Sequence, residues 1–242
     1  MGIGLHQVVA GLFGYHLVRK DKLVEIKHAP GEHLRLLLEN LGINHVLDVG
    51  ANTGQYAQEL RDIGYSGRIT SFEPVQSCYD ELMKKSSRDD LWDIRHHALG
   101  EKQEQLEINV SEATAFSSFL PANDYANERY KRIQPTHTET VQVERLDAIF
   151  NEISQPDERV YLKLDTQGYD LQAFAGCRDC MDRILGMQSE VSVTAIYENM
   201  PSYLESLKVY QDAGFQLTGL YPIAWDEPTL RVIEFDCYMR KM

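Results

Sequence analysis

Residues 46–54 read VLDVGANTG, an apolar run with an aspartate inside it, followed by Gly50 and Gly54 four apart with an asparagine between them. A short apolar run of this kind fits a strand buried on both faces, and the glycines mark a tight turn out of it. The pattern on either side decides the fold. GEHLRLLLENLG (31–42) carries Leu34, Leu37, Leu38 and Leu41 at helical spacing and closes at Gly42, and QYAQELRDIG (55–64) is a second helix closed by Gly64. GRITSFEP is the next strand, VQSCYDELMKKS the next helix and LWDIRHHALG the next strand. The alternation is βαβαβ, the unit of a parallel sheet covered by helices on both faces.

Further along, QLEINV (105–110) is a short alternating strand, whereas 111–139 is polar, rich in turn residues and without a sustained period. It is expected to be a long excursion near the active face, since long loops in compact domains usually serve binding or gating. Order resumes with RLDAIFNEI as a helix, RVYLKLD as a strand, YDLQAFAGC as a helix and GMQSEVSV as a strand. SYLESLKVYQDAGF reads as another helix, and QLTGLYPI with LRVIEFDCYMR as a terminal antiparallel pair. The expected organisation is an N-terminal helical extension over 1–30 and one domain over 31–242, interrupted by a substrate loop at about 111–140.

Composition narrows the class. Of 242 residues, 43% are hydrophobic and 25% charged, as in an ordinary folded domain rather than a disordered chain. The net charge of −13, from 37 acidic and 24 basic residues, repels a phosphate backbone, and the short basic runs 84–88 and 129–132 are flanked by acids. Nucleic acid is therefore not the expected partner. The four cysteines are too sparse for a disulfide framework; Cys177 and Cys180 have metal-ligand spacing but lack a second pair. No apolar run is long enough to cross a bilayer and no secretory leader is legible, which makes a cytoplasmic location the expectation, without stable membrane insertion. Leu5, Val8, Val9, Leu12 and His16 share one helical face, suited to packing on the body or on a second copy in a homodimer, with a membrane surface as the alternative.

In open α/β sheets ligands sit beyond the carboxyl ends of the strands, where VLDVGANTGQY lies. Against the dinucleotide pattern G-x-G-x-x-G from Gly50, the second and third glycines fall on Asn52 and Gln55, and no Gly-Lys-Ser/Thr follows to make a P-loop. Asp48 would oppose a phosphate but suit a cation, and Glu73, 19 residues after Gly54, ends the next strand where an acid can accept both ribose hydroxyls. A nucleoside carrying positive charge fits both, and S-adenosylmethionine is one.

VLDVGANTGQY with SFEP resembles the first two motifs of class I S-adenosylmethionine-dependent methyltransferases. RHHALGEKQEQLEINVS followed by SSFL, and then LKLDTQGYDLQAFAG, resemble the FkbM family within that class; the likeness covers roughly residues 40–200. It implies a Rossmann-like, seven-stranded, mostly parallel sheet with helices on both faces and an antiparallel last strand. By that resemblance Asp48, Gly50, Ala51, Asn52 and Gly54 surround the methionine part of the cofactor, Glu73 the ribose, and His97, Ala98 and Leu99 the adenine. The implied activity is O-methylation of a hydroxyl on a sugar, polyketide or related natural product. Ser117 and Ser118, between Phe116 and Phe119, fall where the family carries a serine-rich motif that would close over the site, and Tyr125 and Tyr130 are candidates to meet the acceptor.

A hydroxyl nucleophile needs a base or a metal to take its proton. Lys163 and Asp165 point to one side of a strand, with Asp165 at its carboxyl end and Glu190 on the neighbouring strand. The expectation is that Asp165 is the base or a ligand of a divalent cation such as Mg2+, with Glu190 as the second acid. The structural alternative is that Asp165 caps a turn while Lys163 and Glu190 form a buried ion pair. Other readings are a non-catalytic module that keeps the cofactor pocket as a scaffold, and an N- or C-methyltransferase. The chain lacks the NPPY-like tetrad of amide methylators, which puts O-transfer first.

Overall fold

The computed structural model describes residues 29–242; the N-terminal helical extension, with its apolar face for a second copy, lies outside the described residues. The chain forms a seven-stranded sheet and a small three-stranded one. Helix α1 (Pro30–Leu41) starts with a proline at its first turn and ends at Gly42 in the left-handed conformation. It leads into β1 (His45–Val49), the strand of the glycine motif. Then follow α2 (Gln55–Asp62), β2 (Arg68–Phe72), α3 (Gln76–Ser86) and β3 (Trp92–Arg95).

Here the structure departs from the sequence reading. LWDIRHHALG is not one strand: after β3 the chain turns away, and β4 (Ala98–Leu99) belongs to the second sheet. β5 (Glu104–Ser111) pairs antiparallel with β6 (Pro135–Glu144), whose first half lies inside the stretch read as aperiodic loop. The reason is physical. Residues 135–138 are exposed, so no apolar alternation marks them, and only Val141 and Val143 of β6 are buried. Between β5 and β6 lie a single 3-10 turn at Thr114–Phe116 and a short helix, α4 (Asp124–Arg129).

The main sheet resumes with α5 (Leu146–Ile153), β7 (Val160–Leu164), α6 (Asp170–Ala175), β8 (Ile184–Ser192) and α7 (Tyr203–Asp212). Ser202 and Glu205 close a reciprocal cap at the start of α7. β9 (Phe215–Asp226) and β10 (Arg231–Lys241) finish the chain as the expected antiparallel pair. The strand order is β3-β2-β1-β7-β8-β10-β9, and β10 runs antiparallel to both neighbours. This is the sheet that the class I resemblance implies.

Leu34, Leu37, Leu38 and Leu41 of α1 pack with Ala57 and Leu60 of α2 on one face, over Val46, Tyr161 and Tyr238. Helices α5, α6 and α7 cover the other face over Leu47, Leu162 and Leu164. Burying both faces of β1 and β7 explains why their sequences read as unbroken apolar runs. All four cysteines are free and buried.

The small sheet is docked through two glycines. A side chain at Gly176, just after α6, would place its Cβ 2.1 Å from the carbonyl oxygen of Gly100, which follows β4. Gly176→Ala must push these backbones apart. It should cost about 2 kcal/mol, lowering the thermal midpoint by roughly 4–8 °C, measured by calorimetry.

Candidate active site

The glycine turn is stitched to both neighbouring strands. Gly50 and Ala51 donate to the carbonyl of Phe72 at 3.1 and 3.0 Å, and Asp165 donates to the carbonyl of Val49 at 3.0 Å. Gly50 has φ of 79°, and a Cβ there would lie 1.9 Å from the carbonyl oxygen of Asp165. Only glycine fits that crossing of β1 and β7. Asn52, also left-handed at φ 48°, aims its N–H at Glu73 Oε2, 2.7 Å away, and Val75 donates to Glu73 Oε1 at 2.8 Å. Burial pushes the Glu73 carboxyl up to about 7 in spite of these two bonds.

A cavity of about 330 Å³ opens at the carboxyl ends of β1, β2, β7 and β8. One side is the turn Gly50–Asn52 together with Phe72, Glu73 and Val75; Ala98, Leu99 and Ile108 add an apolar wall, and Thr114, Ser117 and Phe119 line it from the segment after β5. The other side is polar, formed by Lys163, Asp165, Gln167, Gln188, Glu190 and Asp236, with Tyr56 and Glu59 of α2.

Several expected residues stand elsewhere. Asp48 does not line the cavity; it is fully buried beneath it, accepts from Ser71 Oγ at 3.0 Å and pairs with Lys163 Nζ at 3.3 Å. Gly54 packs against Trp92 and Leu82. His97 also lies outside the lining; its ring leans on Phe72 at 5.5 Å, and burial lowers its pKa, favouring the neutral imidazole. Ser118 is buried and donates to the carbonyl of Gln167 at 2.7 Å, pinning the segment over the site. Of the two tyrosines put forward for the acceptor, neither Tyr125 nor Tyr130 lines this cavity.

Register explains the ion pairs. Asp48 pairs across the strands with Lys163, and Lys163 with Gln188, so these side chains form one row on the α2 face; Glu190 and Asp236 face each other one step nearer the rim. Lys163 therefore bonds Asp48 and, at 3.1 Å, Asp165 Oδ2, and not Glu190 as the buried-pair alternative required. Burial alone would lower the lysine pKa, but the Asp165, Asp48 and Glu190 carboxylates outweigh it and raise it, so the side chain stays an ammonium. Asp165 does not cap the following turn; the Thr166 N–H goes to Asp170 Oδ1 at 3.3 Å. Asp165 and Glu190 do come together, through a residue the sequence reading passed over. Gln167 Nε2 donates to Asp165 Oδ1 at 2.9 Å and to Glu190 Oε2 at 3.2 Å. Gln188 and Asp236 were equally unforeseen, since only strand register brings them to the rim.

Among the described residues, no group of three or more His, Cys, Asp or Glu side chains is placed to hold a metal ion. The Lys163 ammonium, 3.1 Å from Asp165 Oδ2, already puts a fixed positive charge where a divalent cation on this carboxylate would have to sit. The Mg2+ option does not fit this donor set. Nor is any helix among the described residues long and apolar enough to cross a membrane.

Residues 48–217, more than half of the chain, match the model of the methyltransferase FkbM domain. The chain belongs to this family. No curated protein matches it. Among solved structures it is similar to the methyltransferase FkbM from Methylobacillus flagellatus KT, with 14% identity and a TM-score of 0.49 over 81% of this chain and 44% of that one. It is also similar to Aeropyrum pernix fibrillarin, solved with natively bound S-adenosyl-L-methionine, at 13% identity and a TM-score of 0.46, covering 81% of this chain and 66% of that one. A third is NcsB1, an O-methyltransferase from neocarzinostatin biosynthesis solved with S-adenosylmethionine and 2-hydroxy-5-methyl naphthoic acid, at 12% identity and a TM-score of 0.43, covering 88% of this chain and 56% of that one. The chain thus spans less than half the length of the first of these.

The crowding of acids at the rim has a measurable cost. Desolvation, with the Asp165, Glu234 and Asp236 carboxylates beside it, raises the Glu190 pKa well above the ordinary carboxyl range. A carboxyl raised in the folded state is destabilising when the solution pH favours its ionised form, and the penalty vanishes below its unfolded pKa. Glu190→Gln should therefore raise stability at pH 7.5 by about 1 kcal/mol, roughly 2–4 °C in thermal midpoint, and leave it unchanged near pH 3, where the wild-type carboxyl is protonated in both states.

Proposed function

We propose that this domain moves a methyl group from S-adenosylmethionine to a hydroxyl oxygen of a small-molecule acceptor, of the sugar, polyketide or related natural-product class. The observation that carries this reading is the two-sided cavity. A buried acid and an apolar wall suited to a nucleoside share one space with a pair of carboxyl groups suited to a hydroxyl.

The residues present fit the cofactor. Each Glu73 oxygen accepts one backbone N–H and, having two lone pairs, retains capacity for a ribose hydroxyl. Ala98, Leu99, Ile108 and Phe72 offer the apolar surfaces that a purine ring packs on, and the volume lies within the ordinary range for small-molecule sites. Five carboxyl groups, those of Glu59, Glu73, Asp165, Glu190 and Asp236, line the cavity against the single lysine Lys163, whose charge is already matched by Asp48 and Asp165; such a lining favours a cation. When bound, S-adenosylmethionine supplies an electrophilic methyl group on a positively charged sulfur.

The chain's own work is to position an acceptor and remove its proton. Asp165 lies at the end of β7 beside the Gly50 turn, with Glu190 next to it on β8, so a hydroxyl seated between cavity and rim meets a carboxylate within the same site. Lys163, fixed as an ammonium below, is no base; it acts as a permanent positive charge beside Asp165. Thr114, Ser117 and Phe119 cover the cavity, and excluding water there strengthens each of these electrostatic interactions.

Two variants separate binding from chemistry. Glu73→Ala should weaken binding of S-adenosylhomocysteine at least about tenfold, about 1.4 kcal/mol, by isothermal titration calorimetry. Asp165→Asn should keep that affinity while reducing kcat on a hydroxyl acceptor by about 10²–10⁴. Full turnover by Asp165→Asn would remove the base from this mechanism.

A further inference from the structure

The turn after β7 holds a residue that the reading above leaves without a task. Gln167 has φ of 53°, in the left-handed region that L-residues rarely adopt, and is followed by Gly168 at 91°. Such turns persist where the surroundings hold them, and here the surroundings are specific. Ser118 Oγ donates to the Gln167 carbonyl at 2.7 Å, and Tyr197 Oη donates to the side-chain oxygen Oε1 at 2.9 Å. Tyr197 is buried, and the same hydroxyl lies 3.0 Å from the Phe116 carbonyl in the covering segment.

These contacts decide which way the amide faces. With Oε1 turned to the tyrosine, both N–H bonds of Nε2 point at carboxyl oxygens, one of Asp165 and one of Glu190. An amide turned the other way would set its oxygen against both acids. Both N–H bonds of the Gln167 amide are thereby spent on the two acids, so it has no donor left to hold an acceptor directly.

We propose that Gln167 is a positioning residue for methyl transfer, its amide oriented by Tyr197 so that it holds the Asp165 and Glu190 carboxyl groups side by side at the rim. This rests on the functional reading above. It assigns the proton-accepting role to a pair held by one amide rather than to Asp165 alone.

The pair is faced by Lys163 from the strand of Asp165, by Glu234 and Asp236 on β10, by Asp170 on α6 and by Tyr197. Burial pushes Glu234 up to about 7 and Asp236 up to about 6, so the surroundings beyond Lys163 work against ionisation. In that setting two N–H donors matter, because hydrogen bonds to the charged form lower a carboxyl pKa. Removing them should raise it.

The test compares wild type with Gln167→Met, which keeps the side chain's length and removes both donors, and with Tyr197→Phe, which keeps the amide and frees its orientation. In the protein without cofactor, the infrared band of protonated carboxyl groups should persist to higher pH in Gln167→Met, by about half a unit to one unit. With cofactor and a hydroxyl acceptor, kcat should fall about 10–100-fold at neutral pH, the acid limb of the rate profile should move to higher pH, and S-adenosylhomocysteine affinity should stay within about threefold. Tyr197→Phe should move both readouts the same way by less. Identical carboxyl titrations in the three proteins, or a rate loss accompanied by loss of cofactor affinity with an unmoved pH profile, would overturn the proposal. A wild type without turnover would overturn the functional reading alone, since the infrared titration reports on the pair by itself.

Discussion

The buried ammonium of Lys163 is the constraint around which the site is arranged. It sits under the cavity between Asp48 and Asp165, at 3.3 and 3.1 Å, on β7 beside β1. An isolated charge at such depth would be costly, and so would either carboxylate without it. Together they join the glycine turn of β1 to the acid-bearing end of β7. Ser71 and Trp92 extend the arrangement sideways: the Trp92 indole donates to Ser71 Oγ, which donates to Asp48, each at 3.0 Å. The floor of the cavity is thus a chain of linked polar groups, and its geometry fixes where Asp165 stands.

The same arrangement shows why part of the site was legible in the sequence and part was not. The βαβ pattern stood out because strands buried on both faces read as unbroken apolar runs, bounded by helices that end in glycine. Glu73, Asp165 and Glu190 could be picked out because each is an acid at the carboxyl end of such a run. Asp48 could be picked out too, but what faces it depends on register, and the cation it meets is Lys163 and not a ligand. Gln167, Gln188 and Asp236 carry no local signal; they converge only when β8 and β10 are laid beside β7. The second sheet escaped notice for a different reason. The first half of β6 is solvated, and β4 is two residues long, so backbone pairing holds what side-chain patterning does not announce.

An acid-lined cavity sets ligand affinity against the stability of the empty fold. Carboxyl groups held above their ordinary pKa keep an unfavourable field in the empty protein, and a cation arriving there relieves it. On the proposed reading, the buried acids that weaken the fold are also those that would select its ligand, so stability and recognition would draw on the same few residues.

The reversed direction of β10 has a consequence for how such a domain can change. Because β10 runs antiparallel to β8, the β9–β10 hairpin turns at the same edge of the sheet as the cavity, and its tip is tied to α4 by the Arg129–Asp226 ion pair at 2.9 Å. Asp236, however, is held in register by Glu190 on β8 as well as by Tyr221 on β9, well back from the tip. Residues 227–230 can therefore lengthen, shorten or be exchanged while the acids stay where the sheet puts them. The sheet thus separates a fixed acid-bearing floor from a hairpin tip that lies at the same edge without lining the cavity.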